Sequence, residues 1–261
     1  MFLRKLFSSK NKLLWVLLDL LIVIIGVYCA FLIQRYSENS KNEKEQTRII
    51  KALKYEIEVF RYQMYQTSSY AAKTSAQLKE LRKKDVYRDF SDYRFIEPQY
   101  DYQTLEYALN LQNAEIIDFQ LNNLLQSLLV EIRKIEHAER LLTEVAAAYR
   151  TVPKALSAKS ETYLLMHSNN MDLFDRFIIF IEDRSIFANR IFESSVRCLK
   201  EIDDHLGTDT AKSIEEELIR QKAPSFDSEE IAVKLGLQLF PKFSEEEMRT
   251  IYRDARKKAG R

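Results

Sequence analysis

Residues 13–33 read LLWVLLDLLIVIIGVYCAFLI and contain one charged side chain, that of Asp19. A helix rises about 1.5 Å per residue, so a stretch of about 21 residues is long enough to cross the roughly 30 Å hydrocarbon core of a bilayer. The run is longer than the apolar core of a secretory signal peptide, and it continues into Gln34, Arg35 and Tyr36 without a small-x-small cleavage site. It therefore predicts a single transmembrane helix that is retained in the mature protein.

The charges on either side of this helix bear on its orientation. Residues 1–12 form a basic tail without an acidic residue, and a similar number of lysines and arginines follows the helix. The positive-inside rule alone is therefore nearly balanced. Long domains cross membranes largely regardless of charge, whereas a short basic tail resists crossing. We therefore predict a cytoplasmic N-terminal tail and an exported C-terminal domain.

The composition favours long helices and gives no support for nucleic-acid binding or for a disulfide framework. The 261 residues include only four glycines and four prolines, which leaves few positions that interrupt a helix. The net charge of +1 provides no general attraction to nucleic acid, and the numerous tyrosines are interpreted as core and loop anchors. Of the two cysteines, Cys29 lies in the apolar stretch, so we predict no disulfide with Cys198.

Three later stretches, which we call seams, carry mainly apolar residues at steps of three and four. This is the pattern of a coiled-coil or bundle helix. The first is Ile50, Leu53, Ile57, Phe60, Met64, Thr67, Ala71, Thr74, Leu78 and Leu81. The second is Ile117, Leu121, Leu124, Leu128, Glu131, Ile135, Ala138, Leu142, Val145 and Tyr149. The third is Phe174, Ile178, Ile181, Ser185, Ala188, Phe192, Ser195, Leu199, Ile202 and Leu206. Their similar lengths predict an antiparallel helical bundle.

The connecting segments are predicted from breaks in this pattern. The polar residues 37–46 contain no Gly or Pro, so the transmembrane helix is expected to continue into the first seam. Residues 83–100 predict a loop with a short extended piece at 93–96, and a short helix follows at 102–111. Pro153 is expected to end the second long helix. Residues 154–166 predict another short helix, which ends at a turn formed by residues 167–170.

The last part of the chain predicts a small helical appendix. Gly207 occupies the place of a C-cap glycine, and helical pieces are expected at 210–221, 228–239 and 244–258, the last with a capping box at Ser244. The predicted fold is all-α, with one N-terminal transmembrane helix, an elongated three-helix-type bundle and a helical C-terminal appendix. The predicted parts are a basic tail (1–12), a transmembrane helix (13–33), a bundle (34–207) and an appendix (208–261).

Asp19 is the most informative residue for function, because an ionisable group inside a membrane is costly and usually faces protein or water. At about 100° per residue, Asp19, Gly26 and Ala30 lie on one face of the helix. Gly26 and Ala30 form a small-xxx-small pair, which lets two helices approach closely. We predict that these three residues form a transmembrane packing face.

Three interpretations of Asp19 remain open. In the first, the carboxyl group snorkels to the headgroups or is protonated near them. In the second, it is a polar contact that specifies assembly with itself or with a partner helix. In the third interpretation it carries an ion, as in the B-type subunits of bacterial stator motors, which also have one helix with an aspartate. Those subunits end in a peptidoglycan-binding α/β domain, which the helical seams do not resemble.

Metal and catalytic motifs are weak. The three histidines, His137, His167 and His205, are scattered along the chain. Cys198 and His205, seven residues apart, form only one pair of possible ligands. A zinc site needs three or four convergent ligands. The sequence contains no glycine-rich phosphate loop, nucleophile motif or paired-carboxylate signature. We therefore predict no catalytic residue, no metal, no cofactor, no nucleic-acid partner and no small-molecule substrate.

The region from Asp19 to Glu38 resembles a family of bacterial single-span membrane proteins of unknown function that is common in the Bacteroidetes. The family's anchor has an acid, a glycine seven residues later, an alanine four residues after that, and an Asn-Trp-Asn-Glu exit. Asp19, Gly26, Ala30 and Glu38 match these positions, whereas Arg35, Tyr36 and Ser37 depart from the exit. The resemblance implies the architecture of a single-span bacterial membrane protein and does not supply an activity. We expect the protein to lie in the bacterial inner membrane.

These observations together predict a membrane-anchored helical scaffold or a partner subunit of a bacterial membrane complex, without catalytic activity of its own. Its partner is expected to be a second copy of the chain or another membrane protein, which it contacts through the transmembrane helix. Two alternatives remain: a stator-like subunit of an ion-driven complex with Asp19 as the ion carrier, and an unrecognised enzyme.

Overall fold

The computed structural model describes residues 11–84, 100–110, 117–150 and 157–259; for 11–19 only the course of the helix is described. Over these residues the chain is all-helical, with seven α-helices, one 3-10 turn and no β-strand. The α-helices are α1 (Asn11–Lys83), α2 (Gln103–Ala108), α3 (Phe119–Ala148), α4 (Glu161–Leu206), α5 (Thr208–Lys222), α6 (Glu229–Leu239) and α7 (Glu245–Lys258).

The chain divides into two compact units, Met1–Arg48 and Ile49–Arg261. In the first unit, residues 20–39 of α1 are all exposed, and this part of α1 is long and apolar enough to cross a membrane. The predicted continuation of the helix through residues 37–46 is confirmed, because α1 is unbroken there. The absence of Gly and Pro from that segment leaves the backbone hydrogen bonds uninterrupted.

The core of the second unit is built from apolar stripes on α1, α3 and α4. Leu53, Ile57 and Met64 of α1 are fully buried, as are Leu121 and Ile135 of α3. Ala188 and Ile202 of α4 lie in the same cluster. A second cluster combines residues farther along the same helices: Ala71, Leu78, Leu142, Val145, Phe174, Phe177 and Ile181. Burial of these stripes is the main favourable term in the stability of this unit.

The prediction for the second seam is wrong by one residue at two positions. Leu125 and Ile132 are fully buried, whereas Leu124 and Glu131 are only half-buried. Steps of three and then four lead from Leu121 to Leu128 and Ile135 through the predicted residues, and steps of four and then three reach the same buried residues through Leu125 and Ile132. Periodicity alone therefore does not select between the two sets, and the packing of α3 places Leu125 and Ile132 inward.

The predicted break at residues 167–170 is also wrong. The structure has one continuous helix, α4, which begins after Ser160; the Ser160 hydroxyl caps the amide of Tyr163. Asn170, a residue typical of turns, is fully buried and its side-chain amide donates to the carbonyl of Arg150 at 2.8 Å. This tertiary hydrogen bond gives the asparagine a role inside the helix. Pro153 and the start of the predicted short helix lie outside the described residues.

Side-chain contacts define the direction of α4 relative to α3. Near the start of α3, Gln120 donates to Glu201, and near its middle Glu139 accepts from Arg184. At its end, Arg150 contacts Asn170. The partner on α4 moves toward the N-terminus as the residue on α3 moves toward the C-terminus, so the two helices are antiparallel.

The predicted short helix at 102–111 corresponds to α2. The backbone amides of Thr104 and Leu105, in its first turn, donate to the carboxylate of Glu56. The predicted extended piece at 93–96 lies outside the described residues. Gly207 ends α4 with a φ of 76°, as expected for a C-cap glycine. The capping box of Ser244 and Glu247 at the start of α7 is present.

Helices α5, α6 and α7 pack on the rest of the second unit through their own apolar cluster. Ile219, Val233, Leu239, Phe240 and Ile251 are buried in this cluster, which also contacts Tyr62, Tyr65 and Phe192. The helical appendix is therefore attached to α1 and α4 by apolar contacts as well as by the ion pairs described below.

Candidate functional sites

The predicted transmembrane packing face lies in the first unit. Asp19 is within α1, but its side chain lies outside the described part of the structure. Gly26 and Ala30 are exposed, one helical turn apart, and a Cβ added to Gly26 meets no atom within 4 Å. No other part of the described chain covers the helix at Gly26.

A buried ion network in the second unit was not predicted from the sequence. It contains Lys54, Glu58, Arg61, Asp203, Glu215 and Lys242, and we call it the Lys54 network. The side chain of Lys54 is 0% exposed, and its ammonium group lies 2.7 Å from Asp203 Oδ1 and 2.7 Å from Glu215 Oε1. Glu58 Oε1 lies 3.6 Å away, one helical turn along α1. The lysine thus joins α1 to α4 and α5.

Lys242 and Arg61 complete the Lys54 network. The ammonium group of Lys242, in the connection between α6 and α7, lies 2.7 Å from Glu215 Oε1 and also donates to Asp203. The guanidinium of Arg61 contacts Glu58 Oε2 at 2.6 Å and stacks 5.1 Å from the centre of the Phe240 ring. Three cations face three carboxylates, so the network is neutral when every group is ionised.

The pKa values within the Lys54 network follow from burial and pairing. Burial raises the pKa of Glu58, although Arg61 and Lys54 oppose this effect. Burial alone lowers the pKa of Lys242, but hydrogen bonds to Asp203 and Glu215 outweigh it and raise the pKa. Removing one member leaves an opposite charge buried without compensation, which typically costs several kcal/mol. The arrangement therefore acts as a structural clamp between helices.

The signal for this network in the sequence is weak. Lys54, Glu58 and Arg61 are spaced by four and three residues, a pattern that is common on solvent-exposed helix faces. Their partners on α4 and α5 are 149 and 161 residues from Lys54. Only the tertiary structure shows that this face of α1 is covered.

Two cavities lie beside the network. A surface cavity of about 380 Å³ is bordered by Arg61, Lys200, Asp203, Glu215 and Lys242, and four of these five side chains are members of the network. A second cavity, of about 40 Å³, has mainly apolar walls from α1, α5, α6 and α7. Binding pockets for drug-sized ligands are typically 300–1,000 Å³, so this second cavity is too small for such a ligand.

A second buried polar cluster joins α3 to α4. Glu139 Oε1 accepts from Arg184 Nε at 2.7 Å and from the hydroxyl of Tyr100 at 2.9 Å. Burial raises the pKa of Glu139, although Arg184 and Tyr100 oppose this effect, and burial together with Glu139 raises the pKa of Tyr100. These three side chains supply hydrogen-bond partners for one another, as expected of a structural contact between helices.

The tertiary structure brings one histidine into a group of potential metal ligands. Ligand atoms of Asp118, Glu201 and His205 all lie within 4.8 Å of one another. His205 Nε2 is 2.8 Å from Asp118 Oδ2. Partial burial opposes ionisation of Asp118, but hydrogen bonds from His205, Gln120 and Leu121 outweigh it and lower the pKa of the carboxyl group. Cys198, which the sequence pairs with His205 at a spacing of seven, is fully buried and is not a member of this group.

Comparisons of this chain with protein-family models, with curated proteins and with solved structures find no match.

Proposed function

We propose that this protein is a single-pass membrane protein that acts as a helical scaffold or as a partner subunit of a bacterial membrane complex, without catalytic activity of its own. One observation carries the proposal: residues 20–33 of α1 are apolar and exposed on every side. Burying such a helix in lipid removes its apolar side chains from water. Its backbone groups are already hydrogen-bonded within the helix. We also propose membership in the single-span family that residues 19–38 resemble.

The second unit supports a scaffold function. Its apolar stripes on α1, α3 and α4 are typical of an elongated three-helix-type bundle, on which α5, α6 and α7 pack as an appendix. Two buried polar clusters, the Lys54 network and the contact of Glu139 with Arg184, consist of ion pairs that join its helices. We propose that this bundle is exported, with the basic tail in the cytoplasm.

The packing face of the anchor supports the choice of partner. Gly26 and Ala30 leave a shallow surface on α1, and Asp19 belongs to the same face by helical spacing. A second copy of the chain or another membrane helix would bury this face. The alternative function, ion transport through a stator-like complex, uses the same carboxyl group as a proton or sodium carrier.

Membrane insertion is tested by fractionating cells that express the full chain. We expect the protein to remain in the membrane after alkaline carbonate washing, whereas a matched variant without residues 13–33 is released. Thiol labelling of single cysteines placed at residue 5 and residue 227, in intact and permeabilised cells, measures the orientation. Release of the intact chain by carbonate would contradict the proposal, and labelling of residue 5 alone in intact cells would reverse the proposed sidedness.

Assembly is tested by replacing small residues on the packing face. Gly26→Leu adds bulk to the face, whereas Leu21→Phe adds bulk on the opposite side of the helix. We expect Gly26→Leu to reduce crosslinked or native-gel complexes at least about fivefold, the change that corresponds to about 1 kcal/mol, and Leu21→Phe to leave them unchanged. Equal effects of the two variants would contradict a specific face.

Asp19→Asn separates the two functions of the anchor. Asparagine keeps a polar hydrogen-bonding group, so an assembly contact should largely survive. An ion carrier should lose its activity while the complex still forms, because asparagine does not titrate. Measuring complex formation together with ion flux in proteoliposomes therefore distinguishes a scaffold from an ion-driven subunit.

A further inference from the structure

The start of α3 and the end of α4 meet at a group of side chains that the Lys54 network does not include. Glu201 and His205 are four residues apart on α4 and therefore share one helix face. Asp118 is the N-cap of α3 and approaches them because the two helices are antiparallel. Two carboxylates and an imidazole from sequence positions 87 residues apart thus converge.

Each carboxylate is held in place by a protein donor. Asp118 Oδ1 accepts from the backbone amides of Gln120 and Leu121, so Oδ2 is the oxygen that faces His205 Nε2. The side-chain amide of Gln120 donates to Glu201 Oε2 at 2.7 Å. Such outer contacts orient ligands before an ion arrives, and they are typical of metal sites in proteins.

The imidazole distinguishes this group from a solvated acidic pair. Two carboxylates within 4.8 Å repel each other, and the His205 nitrogen points at one of them from 2.8 Å. Zinc ligands at about 2.0–2.1 Å in a tetrahedral site are separated by about 3.3 Å, so a small opening of this contact makes room for the ion. All three side chains are partly exposed, which allows water to supply the remaining ligands.

We propose that Asp118, Glu201 and His205 form a binding site for a divalent first-row transition ion, with Zn²⁺ as the best fit to one imidazole and two carboxylates. The ion connects the N-cap of α3 to the last two turns of α4, shortly before Gly207 and the appendix. Its binding stabilises the folded second unit, because the unfolded chain does not hold the three ligands together.

The experiment uses the full chain in detergent, purified with a tag that contains no histidine and stripped of metal. We expect titration with Zn²⁺ to show one ion per chain and a higher Tm, and Mg²⁺ at the same concentration to have little effect. His205→Ala and Glu201→Gln should weaken Zn²⁺ binding at least about tenfold. Asp118→Asn retains an N-cap residue and should also weaken binding, which separates ligand loss from loss of the helix cap.

His137→Ala is the matched control, since His137 lies on the middle of α3 and belongs to a different surface. This variant should bind Zn²⁺ like the unmodified chain. Substitution with Co²⁺ gives a visible absorption spectrum that depends on nitrogen and oxygen ligands and that should change in His205→Ala. No binding of Zn²⁺, binding unchanged in His205→Ala, or equal weakening in His137→Ala would overturn the proposal.

Discussion

The two halves of α1 are parts of one helix but have opposite surfaces. Residues 20–33 are apolar and exposed all round, whereas between Ile49 and Leu78 a buried apolar stripe alternates with exposed polar residues. A helix that is apolar all round requires an apolar solvent, and a helix with one apolar stripe requires packing partners on that side. The first half therefore predicts a lipid environment, and the second half belongs to the packed core of the second unit.

The difference also applies to charge. In the second half, Lys54 is completely buried, but Glu215 and Asp203 contact its ammonium group directly. In the first half, the sequence places Asp19 in the apolar run, with no charged residue three or four positions away along the helix. Under the proposed membrane insertion, the carboxyl group of Asp19 is therefore expected to reach the headgroups, to contact a partner helix or to bind a proton.

The largest expected effect is the loss of Lys54. Lys54→Met keeps most of the side-chain volume but leaves buried carboxylates without their central cation, so the free energy of unfolding should fall by about 3–5 kcal/mol. Urea denaturation followed by circular dichroism measures this change. Lys51→Met, at an exposed position on the same helix, is the control. Adding Glu215→Gln to Lys54→Met should restore part of the loss, and equal stabilities of the Lys51 and Lys54 variants would contradict the burial.

The second prediction compares leucine truncation in the two halves. Leu53→Ala creates a cavity at a fully buried position and should lower the free energy of unfolding by about 2–5 kcal/mol. Leu21→Ala removes the same atoms from an exposed position and should change it by less than about 0.5 kcal/mol. Urea denaturation in the same detergent measures both. A similar loss in both variants would show that the first half also packs within the monomer.

The third prediction compares two glycines. A Cβ at Gly236 would lie 2.7 Å from the sulfur of Met248, a buried residue of α7, so Gly236→Leu overpacks the contact between α6 and α7. We expect a loss of about 1–3 kcal/mol in the free energy of unfolding. Gly26→Leu, where the added atoms meet nothing within 4 Å, should change it by less than about 0.5 kcal/mol. The reverse ranking in thermal or urea denaturation would contradict the structure.

The smallest effect concerns the pH dependence of the buried half. Burial raises the pKa of Glu139 above its ordinary value of 4.5, so the folded chain binds more protons than the unfolded chain between the two pKa values. Stability should therefore fall as the pH rises from about 4.5 through the raised pKa. Glu139→Gln removes this contribution, so the unfolding midpoint should depend less on pH. An unchanged pH profile would show that Glu139 is not perturbed.

Local features were predictable because neighbouring residues determine them. The helical class, the continuous helix through residues 37–46, the Gly207 cap and the capping box of Ser244 all follow from short patterns. The choice between Leu124 and Leu125 and the absence of a break at residues 167–170 did not. Both depend on contacts with residues elsewhere in the chain, such as the hydrogen bond of Asn170 to Arg150, which lies just after the end of α3.

The sequence by itself determined that the chain is helical, that residues 13–33 are apolar enough to span a bilayer and that later helices have apolar stripes. Only the tertiary structure placed Lys54 against Asp203 and Glu215, and His205 against Asp118. Helical periodicity defines which residues share a face. The rotation and register of the packed helices decide which faces meet, and these depend on the combined packing of residues far apart in the chain.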